Sequence, residues 1–421
     1  MGTVIKKTLL FQILFAICIY VPYLNNYELT FAIWSLTAFF TLQKTYSFGI
    51  AKQLICFTLI LTFATIVLLF KDHELYYIIR DVTYLAKPIL GLLIGYQLCK
   101  KFPQKIFQTI VYVGFLIAII HYCLVFYGVV FHRASSVNDI RLYGGYFSDY
   151  EVYAVIVVLF HKKFELNFSR KKTILFTWAI GFSAFLYLAR TNFIQFIILF
   201  LALKGYFEIN KRSIAVVGSV LIMSLVGYSI IYSMNPKRNG EGIEALLYKI
   251  KIAPIEPFKT KINRDDWKDF NDNYRSYENI MTVRQVTRDG VYSYVFGQGL
   301  GSQVDLKQEV WLGDMNLRYI SILHNGFMTI FLKTGLLGLL VYFCSIFMLF
   351  KKSKTTLPII KNMNLLLLGT GVFLIFSNWV FMGVYNLSDN KSILIGMFIC
   401  LREIYIKTNS RNSMENSSDL A

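Results

Sequence analysis

The sequence predicts an all-α polytopic integral membrane protein with about twelve transmembrane helices. Of the 421 residues, 56% are hydrophobic and only 16% are charged, and the charges occur in short clusters between long apolar runs. An apolar run of about 20 residues crosses the ~30 Å hydrocarbon core of a bilayer as a helix. Because water is absent from that core, each backbone N–H and C=O group needs a partner within the helix itself.

Twelve apolar segments are the predicted helices. They are residues 8–22, 29–43, 53–70, 82–99, 106–131, 144–160, 173–189, 193–203, 213–233, 325–350, 362–384 and 391–406. The seventh and eighth segments are expected to form a hairpin that turns at residues 190–192. One long helix across both segments would place their basic flanks, residues 170–172 and 204–212, on opposite sides of the membrane.

The distribution of charge predicts the orientation of the helices. With the N-terminus inside, the inner segments are rich in Lys and Arg and poor in acids, whereas the outer segments carry about as many acids as bases. This is the positive-inside bias of membrane proteins. Because it accounts for the net charge of +18, we expect no nucleic acid partner.

One segment between the predicted helices is much longer than a simple connection. A loop of this length in a compact bundle is expected to be folded and functional. Within it, Ile243, Leu246, Leu247 and Ile250 have the spacing of an amphipathic helix on a membrane surface. The predicted organisation is helices 1–9 in residues 1–233, the large extracytoplasmic loop in 234–321, helices 10–12 in 322–406, and a disordered cytoplasmic tail in 407–421.

Several kinds of chemistry have no support in the sequence. None of the five histidines pairs with another at the spacing of metal ligands, and no phosphate-binding loop of the nucleotide-binding type is present. The glycines of residues 297–301 belong to the predicted loop and to no strand–helix unit, so they indicate a tight turn. We therefore expect neither a metal nor a cofactor.

The candidate functional residues include several cationic side chains on the predicted outer side. Arg190 lies at the tip of the short hairpin, where a guanidinium is costly unless it meets an anion, and arginine suits bidentate binding of a phosphate. Its alternative role is to anchor the hairpin at the lipid headgroups. The loop adds candidate anion ligands, although a single charge in such a loop is more often simply solvated: Arg264, Arg275, Arg284, Arg288 and Arg318.

His324 and Asn325 stand where the loop re-enters the membrane. Asn325 can cap the tenth helix, whose free N–H groups and positive dipole end attract anions. His324 is a candidate acid–base group, while the alternative for a histidine at a helix start is a structural role. Lys333, about 12 Å deeper in this helix, needs a partner, an aqueous cavity or a path to the headgroups. Trp267 and Trp311 could stack on sugar rings or anchor the loop at the interface.

Four segments carry a family resemblance. HNGFMTIFLKTGLLGLL, from His324, contains a His-Asn pair and then Gly335 and Gly338. Before it come RLYGGYFSDYEVYA at 141–154, LARTNF around Arg190, and the glycine-rich VFGQGLGS. In this order and spacing, over roughly residues 140–345, they resemble motifs of the bacterial O-antigen polymerase and O-antigen ligase family.

The resemblance implies a GT-C-like helical bundle in the bacterial cytoplasmic (inner) membrane, with its active site on the extracytoplasmic face. It implies an inverting, metal-independent glycosyltransferase that moves a glycan from undecaprenyl pyrophosphate to a sugar hydroxyl of another lipid-linked unit. The product would be O-antigen or capsular polysaccharide, and the implied partners are the lipid-linked oligosaccharide, membrane lipid and a chain-length regulator. Carried over to this chain, the catalytic residues are His324, Arg190 and Arg284, and the substrate-binding residues are Arg141, Arg264, Arg288, Asn325, Trp267 and Trp311.

The chain departs from the family pattern at two positions. Lys333 stands where members often carry glutamate, which puts a catalytic acid at that position in doubt. Arg284 lies closer to the glycine-rich turn than the loop arginine of the family usually does, so Arg288 competes with it for that role.

Two other functions remain as alternatives at this stage. An O-antigen ligase shares the donor chemistry but transfers to the lipid A core, and we favour the polymerase because polymerases vary widely in sequence and this chain fits the motifs loosely. A flippase would place broken helices and ionisable groups near the bilayer midplane, often in repeated halves. This sequence has no internal repeat, and apart from Lys333 its unusual polar groups lie at one face.

Overall fold

The computed structural model describes residues 2–418, except 135, 209–210, 239–242, 257–258, 264, 313–314, 354 and 356. The chain is mostly helical, at 76% of its residues. The first helices are α1 (Gly2–Tyr20), α2 (Tyr27–Phe40), α3 (Phe48–Leu68), α4 (Leu75–Lys101), α5 (Ile106–His132), α6 (Val137–Gly144), α7 (Asp149–Leu159), α8 (Arg170–Leu186), α9 (Arg190–Leu203) and α10 (Lys211–Met234). They are followed by α11 (Ile243–Ile252), α12 (Trp267–Asp272), α13 (Tyr274–Arg288), α14 (Val291–Phe296), α15 (Gly326–Met348), α16 (Pro358–Phe381) and α17 (Lys391–Ser418).

Each of the twelve segments predicted to cross the membrane coincides with a helix. Within the described chain, seven helical segments are long and apolar enough to do so by length and composition: Lys7–Leu24, Phe48–Leu68, Leu75–Lys101, Pro103–His132, Lys211–Met234, Gly326–Met348 and Pro358–Phe381. The predicted hairpin consists of two separate helices, α8 and α9, and its turn at residues 187–189 comes slightly earlier than expected. These helices indicate a membrane protein.

Helix α7 is shorter than the sequence predicts for a span. Its 11 residues extend only about 16.5 Å at 1.5 Å per residue. Residues 149–158 are all buried, because α7 packs between α5, α8 and α9. An apolar segment enclosed by other helices meets no lipid, so its length need not match the bilayer.

The bundle is held by close helix contacts. Helix α17 packs along α4, α15 along α3, and α16 along α9. Between α4 and α17 the two backbones touch, since a Cβ atom on Gly95 would lie 1.9 Å from the carbonyl oxygen of Ile393. Small residues at such crossings are typical of membrane helices, where association depends on close packing.

The predicted loop, residues 234–321, is folded against one end of the bundle, which we call the loop end. Helix α11 forms where the amphipathic spacing predicts it. The loop also contains an element that the sequence analysis did not include, because strands β1 (Val304–Leu312) and β2 (Met315–Ile320) pair as an antiparallel hairpin. Its buried side chains join the face of α13 and the first turns of α15 in one core, comprising Phe270, Tyr274, Tyr277, Met281, Val286, Val304, Leu306, Val310, Ile320, Leu323, Phe331 and Leu332.

The C-terminal tail differs from the prediction of disorder for residues 407–421. Helix α17 continues without interruption through Ser418, so the backbone of most of this segment is helical. Once α17 is packed on α4, further residues extend it at the low cost of helix propagation. Residues 419–421 lie outside the described chain.

Helix α15 is interrupted at Gly335, and the glycine-rich turn 297–301 forms backbone hydrogen bonds with α15 just before the interruption. Gly335 has φ +62°, which breaks the helical ladder. The backbone N–H of Gln298 donates to the carbonyl of Leu332 over 2.8 Å, and that of Gly299 to the carbonyl of Lys333 over 3.0 Å. A Cβ atom on Gly297 would lie 2.4 Å from the nitrogen of Thr334, so the turn needs glycine. The sequence prediction of a tight turn is confirmed.

A buried ion pair stabilises the contact between the turn 297–301 and the interrupted helix α15. Lys333 Nζ lies 2.6 Å from Asp81 Oδ2, and the two side chains are 1% and 2% exposed. Asp81 also accepts the N–H of Gly301 over 2.7 Å, while Lys333 donates to the carbonyl of Ser302. Lys333 therefore has the partner that its depth requires, supplied by α4.

We predict that removing one partner of this pair is far more destabilising than removing both. Asp81→Ala leaves a buried, unpaired lysine and should cost about 3–5 kcal/mol of unfolding free energy, whereas Asp81→Leu combined with Lys333→Met should recover most of that loss. Thermal unfolding in detergent measures both effects. The control is Lys71→Ala, because Lys71 pairs with Asp289 at the surface and should contribute ~1 kcal/mol or less. A loss in Asp81→Ala no larger than in the control would contradict the prediction.

Candidate functional site

Two faces of α13 are directed to different parts of the molecule. Tyr274, Arg275 and Glu278 lie within about 100° of one another on the helix, at 100° per residue. Arg284 follows Arg275 by nine residues, which places it half a turn away and about 13.5 Å further along. The first face meets the start of α15 and the α8–α9 turn, and it carries the candidate site.

His324 is bound to a buried carboxylate on this face. Its Nδ1 atom lies 3.0 Å from Glu278 Oε1 and 3.1 Å from Oε2, and its backbone N–H donates to Oε2 over 3.1 Å. Glu278 is 1% exposed, whereas the His324 side chain is 39% exposed. The imidazole is therefore hydrogen-bonded to Glu278 through Nδ1, while part of the ring remains exposed.

This arrangement selects one tautomer of the neutral imidazole. An ionised carboxylate only accepts hydrogen bonds, so Nδ1 of His324 carries the hydrogen and Nε2 keeps a lone pair. A carboxylate in this position also stabilises the imidazolium that forms when Nε2 takes up a proton. The His324–Glu278 pair thus has the arrangement of a general base with its orienting acid.

The Tyr274 ring packs against the His324–Glu278 pair. Its ring meets the His324 ring edge-on, with centroids 5.9 Å apart and planes at 88°. Burial, together with the nearby Glu278 carboxylate, raises the pKa of Tyr274 well above its usual range. The phenol therefore stays neutral and cannot compete with His324 as a base.

Three arginines from separate elements form a cationic cluster beside this face. Arg190 lies within electrostatic range of Arg275, Glu256 and Arg141. Arg275 of α13 lies 3.8 Å from Glu256 Oε1. Guanidinium groups on half-buried side chains are suited to an anion with more than one negative charge.

Arg141 is held to its own turn and keeps unused hydrogen-bonding capacity. Its Nη2 atom donates to the carbonyl of Tyr146 over 3.0 Å, and its guanidinium lies 5.3 Å from the centre of the Tyr146 ring. Its Nε atom is buried and has no hydrogen-bond partner among the described residues. A buried donor of this kind is normally satisfied in the functional state, for example by a ligand.

Helix α13 joins the arginine cluster to the His324–Glu278 pair. Arg275 and Glu278 are three residues apart, so their Cβ atoms lie about 5–6 Å from each other on the helix surface. One rigid helix therefore sets the distance between the cations and the candidate base. His324 is fixed on its other side as well, because its carbonyl accepts the N–H of Met382 at the end of α16 over 3.1 Å.

The other predicted site residues lie away from this cluster. Arg284 is exposed and lines a separate cavity of about 480 Å³ on the side of α13 opposite Arg275, and Arg288 is exposed at the end of that helix. Trp267 is exposed and contacts Arg238, and Trp311 is exposed near the turn of the strand hairpin. Arg264 lies outside the described residues.

Asn325 has the structural role that the sequence predicts. Its Oδ1 atom accepts the N–H groups of Phe327 and Met328 and so caps α15. The residue is 1% exposed, and its amide nitrogen has no hydrogen-bond partner among the described residues. Asn325 therefore orients the helix start beside His324 and presents no surface to solvent.

Glu278 was not singled out from the sequence, and Arg275 was named only as one of several loop arginines. One signal for Glu278 was available, because it follows Tyr274 by four residues, about one helical turn, in an otherwise polar segment. A histidine proposed as a base also requires an orienting acceptor, and Glu278 is the carboxylate nearest to Arg275 along the helix. The choice of Glu278 among the many loop acids nevertheless depends on packing.

Comparisons with known proteins give no relative for this chain. No protein-family model matches it, and no curated protein and no solved structure shows significant similarity. Over the described residues, no three His, Cys, Asp or Glu side chains come together as a metal site. Fold and site together define a mostly helical membrane protein with a group of arginines and a histidine–carboxylate pair at its loop end.

We predict that Arg275, and not Arg284, binds the anion at this site. Arg275→Ala should weaken binding of undecaprenyl pyrophosphate to the purified protein by about 10- to 100-fold, because a hydrogen-bonded charge contributes roughly 1.5–3 kcal/mol. Arg284→Ala is the matched control on the same helix and should bind with wild-type affinity. Calorimetric titration in nanodiscs measures both. The reverse order of effects would return the role to Arg284.

Proposed function

We propose that this chain is a polymerase of undecaprenyl-pyrophosphate-linked oligosaccharide repeat units. It transfers the growing glycan from its lipid carrier to a hydroxyl of an incoming lipid-linked unit and so builds O-antigen or capsular polysaccharide. The observation that carries the proposal is the joining of the cationic cluster and the His324–Glu278 pair by one helix, α13. The motif resemblance to the O-antigen polymerase and ligase family supports the same reaction.

The arginine cluster suits the leaving group of this reaction. When the bond between the anomeric carbon and the phosphate oxygen breaks, the electron pair stays on the pyrophosphate, whose negative charge increases. Arg141, Arg190 and Arg275 then stabilise that charge more strongly in the transition state than in the ground state. No metal is required for this step, because guanidinium groups supply the positive charge.

The His324–Glu278 pair suits the acceptor. The acceptor hydroxyl oxygen forms the new bond to the anomeric carbon from the face opposite the pyrophosphate, which inverts the configuration. Its proton passes to His324 Nε2, and Glu278 stabilises the resulting imidazolium. The proton and the undecaprenyl pyrophosphate are then released separately.

The proposed setting is the bacterial cytoplasmic (inner) membrane, with the site on the extracytoplasmic face. The positive-inside bias supports this orientation, since it puts the loop end outside. Membrane lipid surrounds the helices, the lipid-linked oligosaccharide is the substrate, and a chain-length regulator is a further proposed partner. A flippase is disfavoured, because the sequence has no internal repeat of the kind that such transporters often contain.

Deletion of the gene tests the proposed function. We expect envelope polysaccharide analysed by electrophoresis to carry a single repeat unit, because assembly and attachment continue without polymerisation. Restoration of the full ladder by the wild-type gene is the control. Polymer retained on the lipid carrier with no surface attachment would instead identify a ligase, and units trapped inside the cell would identify a flippase.

We predict that His324→Ala slows polymerisation of lipid-linked units by ~10² or more, the usual scale for a positioned acid or base. Glu278→Gln should have an effect of similar size, because an amide group can present its NH₂ to Nδ1 and favour the wrong tautomer. His161→Ala and Glu309→Gln are matched controls, because His161 follows the end of α7 and Glu309 is an exposed residue of β1, and they should keep the wild-type rate. Initial rates of polymerisation by the purified variants measure these effects. Wild-type turnover by His324→Ala would leave this histidine a structural role only.

A further inference from the structure

A buried chain of polar side chains lies beneath the arginine cluster. Ser183 Oγ donates to Glu151 Oε1 over 2.6 Å, and His121 Nδ1 lies 2.8 Å from Ser183 Oγ. A hydroxyl donates only one hydrogen, so Ser183 accepts from His121 in turn. Glu151 has no exposed surface. An ionisable group buried among membrane helices is costly to retain, which indicates a function.

Tyr187 links this chain to the α8–α9 turn. Its ring is stacked on that of His121, with centroids 3.7 Å apart and planes at 10°. Its hydroxyl group lies near the carboxylate of Glu151 and the hydroxyl of Ser148. Stacking on His121 fixes the plane of the Tyr187 ring.

The turn that follows Tyr187 carries Arg190 and is strained. Leu188 has φ +50°, a left-handed conformation that is unfavourable for a residue with a Cβ atom. Ala189 precedes α9 and has no side chain with which to cap it. Such a conformation persists only where surrounding contacts determine it. Asn192 provides one contact, by donating to the carbonyl of Ala184 over 2.7 Å, and Tyr187 provides the other.

The same polar chain supports the element that bears Arg141. Helix α6 ends at Gly144, where a Cβ atom would lie 3.0 Å from His121 Nε2. A Cβ atom on the next residue, Gly145, would lie 3.5 Å from the Tyr187 ring. The backbone segments next to Arg141 and Arg190 are therefore both supported by the stacked rings of His121 and Tyr187.

We propose that Glu151 is a positioning residue that, through Tyr187, sets the spacing of Arg190 and Arg141 for the two phosphates of a lipid pyrophosphate. The identity of this anion rests on the proposed function. Glu151 touches neither the anion nor the sugars. Through Ser183 it orients His121, on which Tyr187 stacks, and its carboxylate lies near the Tyr187 hydroxyl.

Binding of undecaprenyl pyrophosphate to the full-length protein in nanodiscs tests this role. Glu151→Gln keeps the shape of the side chain but removes its charge, and it should raise Kd about 10-fold. Tyr187→Phe keeps the stacking and removes the hydroxyl, and it should raise Kd to a similar extent. The double variant should be no worse than either single variant, because both changes break the same link. Undecaprenyl monophosphate should show a smaller loss, since it spans fewer of the arginines.

Glu403→Gln is the matched control, because Glu403 is a largely buried carboxylate on α17, far along that helix from its start at the loop end. It should bind the lipid pyrophosphate with wild-type affinity. A lower unfolding temperature of Glu151→Gln with unchanged Kd in the folded protein would overturn the inference and leave Glu151 only a packing role. If Glu151→Gln does not fold, wild-type Kd in Tyr187→Phe overturns it equally. Protein whose binding of the lipid depends on Arg190 and Glu151 but that never polymerises repeat units would overturn the proposed function alone.

Discussion

Helix α15 is interrupted at Gly335, and the turn 297–301 completes the hydrogen bonds that the interruption leaves open. The contact between the turn 297–301 and α15 attaches the outer loop to the bundle, because Asp81 of α4 binds both the turn and Lys333. The position of α13, and with it Glu278, depends on the same attachment. His324 stands at the start of α15, so the candidate base and its orienting acid are set by one rigid connection. Without it the loop would remain a flexible chain over the membrane.

Charges at the loop end fall into two kinds. Asp81 with Lys333 is a closed pair, and Lys391 is likewise enclosed by Asp149 and Asp389. Such pairs balance their own desolvation cost and fix the ends of helices. The arginine cluster is different, because Arg141, Arg190 and Arg275 bring like charges within electrostatic range of one another. Like charges on half-buried side chains favour the binding of an anionic ligand.

Much of the helical architecture followed from the sequence because it depends on local composition. Apolar segments of sufficient length must be helical in lipid, so the twelve predicted segments coincide with helices. Helix α7 is the informative case, because its apolar run looks like a span but its 11 residues are enclosed by neighbours. The strand hairpin at 304–320 was missed, since its alternation is interrupted by the shift between Asp305 and Val310. The tail was misjudged because helix propagation outweighed its polar composition.

The sequence by itself determined that this chain belongs in a membrane, and it singled out His324, Arg190 and Arg141 at the loop end. Those conclusions depend on hydrophobicity, charge sign and motif spacing, which are properties of neighbouring residues. Only the tertiary structure decided that Glu278, 46 residues away, is the partner of His324 and that Arg275, not Arg284, faces Arg190. The physical reason is that α13 turns by 100° per residue, so which arginine meets the cluster depends on how the folded loop rotates that helix against α15.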